Sequence, residues 1–392
     1  MMKTNWPVVF VVWFAGLCAA GQFAKIGVVF AEMQGIWPDA GARLGLIVSV
    51  VGAVGVIFGT TAGLVVARLG ARRLLLGGLL VAGTLSGVQI FALTIEAMIA
   101  TRLLEGFAHL SIVVAGPVVI AQACTPHDQP AGMALWSTFF GLAFTVMALF
   151  GLPLVQGYGV RALWAAHGAA CWLAAAGLAG TMGTVAAPAP MPRRSVQALL
   201  WDHIRIYRSP FLAAPALGFV FYTLIYVAVL TLVPGLVDPD HRALMAAGMP
   251  IISIVVSLGL GVWLMRRIPA VQVIQAGFMG AGIGAIIWAI APGLGHIAGG
   301  FLLAACLGLV QSASFASIPQ LNATAGERAQ ASGAVAQLGN VGTTLGTPIL
   351  LVLIHWAGAQ AVTIFVVPLC LAGFAMHLWQ SARRARALAA QA

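Results

Sequence analysis

The sequence predicts an all-α membrane protein with twelve transmembrane helices in two six-helix bundles. Three observations support this prediction: charged residues make up only 7% of the 392 residues, the mean hydropathy is +1.03, and long apolar runs recur along the chain. A soluble domain carries about 25% charged residues, so this chain has too few to cover a surface in water. Lipid is therefore the expected solvent of most outward-facing side chains.

Composition also excludes several classes of protein. The net charge is +10, but the basic residues lie in short clusters between apolar runs rather than on one face, which excludes a nucleic-acid-binding surface. The five cysteines are scattered singly without a C-x-x-C pair, so we expect neither a metal site nor a disulfide, and no cofactor. The apolar run after Lys3 continues past twenty residues, which predicts a first transmembrane helix rather than a cleaved signal peptide.

Twelve apolar runs are long enough to cross a bilayer, since a spanning helix needs about 20 residues. The predicted helices of the first half are 7–31, 43–67, 74–94, 97–123, 132–156 and 160–182. Those of the second half are 210–235, 243–265, 270–292, 296–321, 331–356 and 360–380. They define an N-terminal bundle (1–182), a linker (183–209) and a C-terminal bundle with a basic tail (210–392).

The linker between the bundles begins Pro-rich and then becomes amphipathic. Arginines surround an apolar face, which predicts a short helix that rests on the membrane surface. The residues predicted to share that face are Val196, Leu199, Leu200, Ile204 and Tyr207.

The distribution of Lys and Arg predicts the orientation of the chain. With both termini in the cytoplasm, fourteen basic residues lie on the cytoplasmic side and three lie outside. Two further basic residues, Lys25 and Arg102, fall within predicted spans.

The two halves also resemble each other. Gly106 and Pro117 of the fourth predicted helix are eleven residues apart, and so are Gly308 and Pro319 of the tenth. Matches of this kind at offsets near 200 residues indicate a duplicated six-helix unit.

At this point the sequence resembles the major facilitator superfamily. The stretch "GLVVARLGARRLLL" is similar to that family's loop between helices two and three, with Gly63, Arg68, Gly70 and Arg72 in place. Ala67 stands where the family has an aspartate that helps to latch the cytoplasmic side. The resemblance implies a gating role for this loop, and the missing acid indicates that any latch here uses other groups.

A second stretch, "TRLLEGFAHL", resembles the family's fourth-helix pattern R-x-x-q-G. Arg102 and Gly106 match, and Glu105 stands where glutamine is common. The resemblance covers nearly the whole chain and implies a bacterial carrier of the inner membrane that works by alternating access.

Charged groups inside a bilayer are costly, so they normally pair or face a cavity. Arg102 and Glu105 are spaced i, i+3 on one helix face, where they can neutralise and brace each other. Lys25 is expected at the same depth, about 10 Å from the midplane at 1.5 Å per residue. Together the three would form a net positive site for an anionic substrate; the alternative is that Lys25 reaches the outer interface.

His109 follows Glu105 by one helical turn, and a histidine near the midplane can gain and lose a proton near neutral pH. We therefore predict Glu105 and His109 as the proton-coupling pair; the alternative is a histidine bonded to a neighbouring helix. Other polar residues predicted to contact a substrate are Gln22, Trp136, Tyr222, Tyr226, Gln311, Gln337 and Asn340.

We predict a monomeric, proton-coupled carrier of a small organic anion, with no enzymatic activity. One alternative is a proton-driven exporter of drugs or lipophilic cations that uses Glu105 and an aromatic pocket. A sensor or an intramembrane enzyme is a more distant alternative, because neither an H-E-x-x-H motif nor a soluble effector domain occurs.

Overall fold

The computed structural model describes residues 3–27, 29–40, 43–92, 94–181, 196–291 and 293–390. The helices of the N-terminal half are α1 Trp6–Gly27, α2 Phe30–Ile36, α3 Arg43–Leu69, α4 Ala71–Gln89, α5 Ile95–Ala123, α6 Gln129–Ser137, α7 Phe139–Val146, α8 Leu152–Tyr158 and α9 Val160–Thr181. The helix α10, Val196–Arg208, precedes the C-terminal half. That half contains α11 Ala214–Leu232, α12 Pro239–Val256, α13 Val262–Met265, α14 Ala270–Ile290, α15 Leu294–Leu321, α16 Ala325–Ala357 and α17 Ala361–Ala389.

Eleven helical segments of the described chain are long and apolar enough to cross a membrane. The last of them, Ala325–Ala389, is 65 residues long and contains both α16 and α17, which are separated by a turn at Gly358–Gln360. The predicted all-α membrane fold is therefore confirmed, with eleven or twelve spans depending on how this segment is counted. No strand occurs among the described residues.

Two spans contain a π-helical turn. Met147–Gly151 joins α7 to α8, and Ser257–Gly261 joins α12 to α13. Such turns leave backbone groups out of register with the ordinary i→i−4 ladder and recur at functional sites. Both turns contain glycine: Gly151 in the first, and Gly259 and Gly261 in the second.

The two halves meet most closely where α3 packs on α16. A Cβ atom added at Gly63 would lie 2.5 Å from the carbonyl oxygen of Ala329, so only glycine permits this approach. Further along α3, at Gly52, the nearest atoms all belong to side chains, those of Asn340, Phe23 and Thr344, at 3.4, 3.8 and 3.8 Å. The helices therefore diverge away from Gly63.

We call the end of the molecule that carries Gly63, Asp128, Arg266 and α10 the basic end. The α3–α4 turn lies here and depends on Gly70, whose φ of 90° an L side chain rarely adopts. The sequence predicts that this end faces the cytoplasm.

Replacing Gly346 tests the packing inside the C-terminal half. An added Cβ would overlap the carbonyl oxygen of Leu224 on α11, so we expect Gly346→Ala to lower the free energy of unfolding by about 1–3 kcal/mol. Gly77→Ala is the matched control, because nothing lies within 4 Å of its Cβ position. Equal thermal unfolding midpoints for the two variants in detergent would contradict this packing.

Candidate functional site

A cluster of charged side chains is buried inside the N-terminal half. Glu105 on α5 accepts hydrogen bonds from Lys25 Nζ (2.6 Å), Gln89 Nε2 (2.8 Å) and Arg102. Lys25, on α1, also donates to Ser86 Oγ (2.8 Å) and Gln89 Oε1 (2.7 Å) on α4. Because every charge has partners of opposite sign or polarity, burial is tolerated.

The same cluster extends to two further helices. Arg102 Nε donates to the carbonyl oxygen of Ile47 on α3 (2.8 Å). On α9, His167 Nε2 lies 2.9 Å from the carbonyl oxygen of Cys18 and Nδ1 lies 2.7 Å from Ser86 Oγ. A carbonyl oxygen only accepts, so Nε2 carries a proton, and Nδ1 shares the second hydrogen bond with the Ser86 hydroxyl. The cluster thus joins α1, α3, α4, α5 and α9.

The structure brings Lys25, Arg102 and Glu105 into direct contact. All three side chains are 0% exposed, however, and none lines the cavity between the halves. The alternative that Lys25 reaches the outer interface is wrong, since its Nζ is held by Ser86, Gln89 and Glu105. A substrate in the cavity would not touch these charges.

That cavity, of about 120 Å³, lies between the two halves and has an aromatic wall. Cavities of comparable size, about 150 Å³, hold small rings such as benzene. Six of the residues predicted as functional line it: His109, Trp136, Tyr222, Tyr226, Gln311 and Asn340. Sequence reasoning missed Phe23, Phe139, Phe140, Phe219, Phe315 and Ser332, which also line it.

Two other predicted substrate residues lie elsewhere. Gln22 is fully buried on α1, and neither its amide nitrogen nor its amide oxygen has a partner among the described residues. Gln337 donates to the carbonyl oxygen of Val56 on α3 (2.7 Å) and accepts from Tyr207 OH on α10 (2.7 Å). Gln337 therefore holds the two halves together instead of lining the cavity.

Among the described residues that line the cavity, His109 is the one side chain that becomes positively charged when it binds a proton. Its Nδ1 lies 3.0 Å from the carbonyl oxygen of Ala19, which requires a proton on Nδ1. In the neutral ring, Nε2 then has a free lone pair, and it has no hydrogen-bond partner among the described residues. Phe23 packs edge-on against the ring at 4.9 Å and fixes its orientation.

The basic end is closed by contacts between the halves and α10. Tyr207 of α10 binds Gln337 on α16, and His203 Nδ1 lies 2.5 Å from the hydroxyl of Thr60 on α3. Burial lowers the pKa of His203, which favours a neutral ring in this contact. Helix α10 thus bridges the two halves across the base of the cavity.

The placement of α10 differs in part from the predicted membrane-facing side. Tyr207, predicted to face the membrane surface, bonds Gln337 instead, while Ile204 of the same predicted face is 39% exposed. Ile206 and Asp202, outside the predicted face, are buried. The helix therefore packs on the ends of α3 and α16 instead of only resting on a membrane surface. The side chains of Val196, Leu199 and Leu200, and the Pro-rich start of the linker, lie outside the described residues.

The loop that resembles the family's gating motif has Ala67 in place of the family's acid, and it lies beside the start of α16. Ala67 lies 4.0 Å from the Cβ position of Gly326, at the N-terminus of α16. That terminus carries its own capping box, in which Thr324 and Glu327 exchange hydrogen bonds. Glu327 thus supplies the negative charge that the helix end favours. Arg68 of this loop is half-buried, and its Nη2 has no partner in the described chain.

A contact between opposite charges also joins the halves at the basic end. Asp128 Oδ1, before α6, lies 3.9 Å from Arg266 Nη2, after α13. Hydrogen bonds from the Thr4 hydroxyl (2.6 Å) and then from His127 lower the pKa of Asp128. The carboxylate therefore stays ionised at mildly acidic pH.

Two single substitutions test the buried cluster. Its formal charge is +1, from Lys25 and Arg102 against Glu105, so Glu105→Gln leaves two unopposed cations whereas Lys25→Met leaves a balanced pair. We expect Glu105→Gln to cost about 3–5 kcal/mol of unfolding free energy. Lys25→Met should cost about 1–2 kcal/mol, from lost hydrogen bonds. Denaturant unfolding in detergent measures both, and a larger loss for Lys25→Met would contradict the charge balance.

Solved structures of three transporters have a fold similar to this one. The structure is similar to the human organic anion transporter MFSD10 (TETRAN), with 17% identity, a TM-score of 0.76, and coverage of 96% of this chain and 100% of that one. It is also similar to the E. coli fucose:proton symporter FucP, with 15% identity, a TM-score of 0.77, and coverage of 97% of this chain and 99% of that one. The proton:xylose symporter XylE is similar with 13% identity, a TM-score of 0.72, and coverage of 95% of this chain and 94% of that one. At these identities the likeness concerns the fold alone.

No curated protein matches the sequence. The family model of the Major Facilitator Superfamily, by contrast, matches residues 12–338, most of the chain. Together with the two helical halves around a central cavity, this match identifies the chain as a member of the Major Facilitator Superfamily, a family of membrane transporters.

Proposed function

We propose that the protein is a secondary active transporter that moves a small organic anion together with a proton by alternating access. The observation that carries this proposal is the central cavity, whose wall combines aromatic rings with one protonatable group, His109. The cavity lies between two halves, which is where a carrier whose halves rock against each other binds its solute. The inner membrane of a bacterium remains the expected location.

The charge of the wall favours an anion over a cation. Within the described residues the wall holds no Asp, Glu, Lys or Arg, so a cationic solute would meet no counter-charge there. Protonation of His109 at Nε2 adds a positive charge at the wall. The buried cluster, with a formal charge of +1, lies one to two turns away along α5 and raises the local potential for an anion.

The proton is assigned to His109 rather than to Glu105. Glu105 accepts hydrogen bonds from two cations and one amide, all of which favour its ionised form. Protonating it would leave Lys25 and Arg102 buried without a counter-charge. His109 Nε2 has no such constraint, so it can take up a proton with the anion and release both after the halves rock.

A proton-driven exporter of lipophilic cations is the second candidate. The aromatic wall supports it, because cations are attracted to ring faces. The absence of a carboxylate from the described wall argues against it.

Substituting His109 tests the coupling. In proteoliposomes, we expect a small carboxylate to drive proton entry in the native protein. His109→Gln keeps a hydrogen bond to Ala19 but cannot carry a proton, and should reduce this flux at least tenfold. Since one proton accompanies one negative charge, an imposed potassium diffusion potential should leave the rate unchanged.

His355→Gln is the matched control, because that histidine is exposed near the end of α16. Proton entry that persists in His109→Gln and disappears in Glu105→Gln would transfer the proton to Glu105. Proton exchange driven by lipophilic cations alone would favour the exporter.

Tyr207→Phe tests the closure by α10. The variant loses one hydrogen bond to Gln337, about 1 kcal/mol, which shifts a two-state equilibrium roughly fivefold toward an open basic end. Spin labels at Leu69 and Ala323, exposed on opposite halves, should report a larger population of long distances. Tyr158→Phe, which removes an exposed hydroxyl, is the control, and identical distance distributions would contradict the bridging role.

A further inference from the structure

We propose that the transported anion is an aromatic monocarboxylate, and that Trp136 Nε1, Tyr222 OH and Ser332 Oγ bind its carboxylate. This inference rests on the proposed function and assigns its substrate class. It also moves the anion site from Lys25 and Arg102 to the wall of the central cavity.

Three residues that line the cavity each have a polar atom that is buried without a hydrogen-bond partner among the described residues: Trp136 Nε1, Tyr222 OH and Ser332 Oγ. Their side chains are 0%, 2% and 2% exposed. Leaving a buried donor unpaired is costly, so such groups normally have a partner. An indole N–H can only donate, and both hydroxyls can donate, so the three together suit an acceptor such as a carboxylate.

The orientation of Trp136 is fixed by two glycines. A Cβ added at Gly16 on α1 would lie 2.9 Å from Cζ3 of the indole, and one at Gly116 on α5 would overlap Cη2. The six-membered ring is therefore wedged between α1 and α5. The pyrrole edge that carries Nε1 lies on the opposite side of the ring system, and Trp136 lines the cavity.

The other two donors come from the C-terminal half. The Tyr222 ring on α11 is stacked between Phe219 (5.1 Å, 28°) and Tyr226 (5.0 Å, 27°), which holds its hydroxyl in place. Ser332 lies on α16. A carboxylate that accepts from all three would connect the halves, so its binding would be coupled to their relative movement.

The remainder of the wall selects the body of the solute. Eight of its twenty residues are Phe, Tyr or Trp, against 9% of the whole chain, and flat rings pack well against such a surface. A second negative charge would have no Lys or Arg in the described wall to oppose it. The solute is therefore a monoanion with an aromatic body.

Binding of simple probes to the purified protein tests the proposal. Benzoate should bind more tightly than benzamide, benzylamine or cyclohexanecarboxylate in titration calorimetry. Tyr222→Phe keeps the stacked ring and loses only the hydroxyl, so it should weaken benzoate binding about tenfold, because a hydrogen bond to a charged group is lost. Ser332→Ala should act similarly.

Trp164→Phe is the matched control for Trp136→Phe. The indole nitrogen of Trp164 is also buried without a described partner, but Trp164 does not line the cavity. We expect Trp136→Phe to weaken benzoate binding and Trp164→Phe to leave it unchanged. Unfolding midpoints of all variants establish that each is folded.

Equal binding of benzamide and benzoate, or native affinity in Tyr222→Phe and Ser332→Ala together, would overturn the inference. Proton-flux measurements separate it from the proposed function. If aliphatic acids drive proton entry and benzoate does not, the transporter stands and the aromatic assignment fails. If no acid drives proton entry although benzoate binds as expected, the binding site stands and proton coupling fails.

Discussion

The ion cluster of Lys25, Glu105 and Arg102 is the interaction on which the N-terminal half depends. Three charges without contact to water are held there only because each is matched by another charge or a hydrogen-bonding group. The same contacts fix α1, α3, α4, α5 and α9 relative to one another. A half that moves as a unit in alternating access needs internal rigidity of this kind, which purely apolar helix packing in lipid supplies less specifically.

The buried ion cluster and the cavity wall thus occupy separate stretches of one helix. On α5, Arg102 and Glu105 belong to the cluster, and His109, one turn further, belongs to the cavity wall. The cluster can influence the cavity through its net charge without binding a solute. Helix α10 and the α3–α16 contact then join the two halves at the basic end.

The helices were predictable because a run of about 20 apolar residues is a local signal. The pairing of Arg102 with Glu105 was predictable for the same reason, since i, i+3 spacing fixes it. The side of α5 that faces the cavity was not predictable, because the helix is apolar nearly all round. Two partners of Lys25, Ser86 and Gln89, lie on α4 and had no local signal either. The aromatic wall, assembled from both halves, likewise has no local pattern; Phe23 and Phe315 became neighbours of the site only through the fold.

The most direct test of the account counts the protons taken up when a carboxylate binds. Titration calorimetry of the native protein with benzoate, in buffers of different ionisation enthalpy, gives this number. We predict about one proton per benzoate at neutral pH, none in His109→Gln, and about one in Lys25→Met. Proton uptake that survives in His109→Gln or vanishes in Lys25→Met would contradict the separation between a structural cluster and a chemically active cavity.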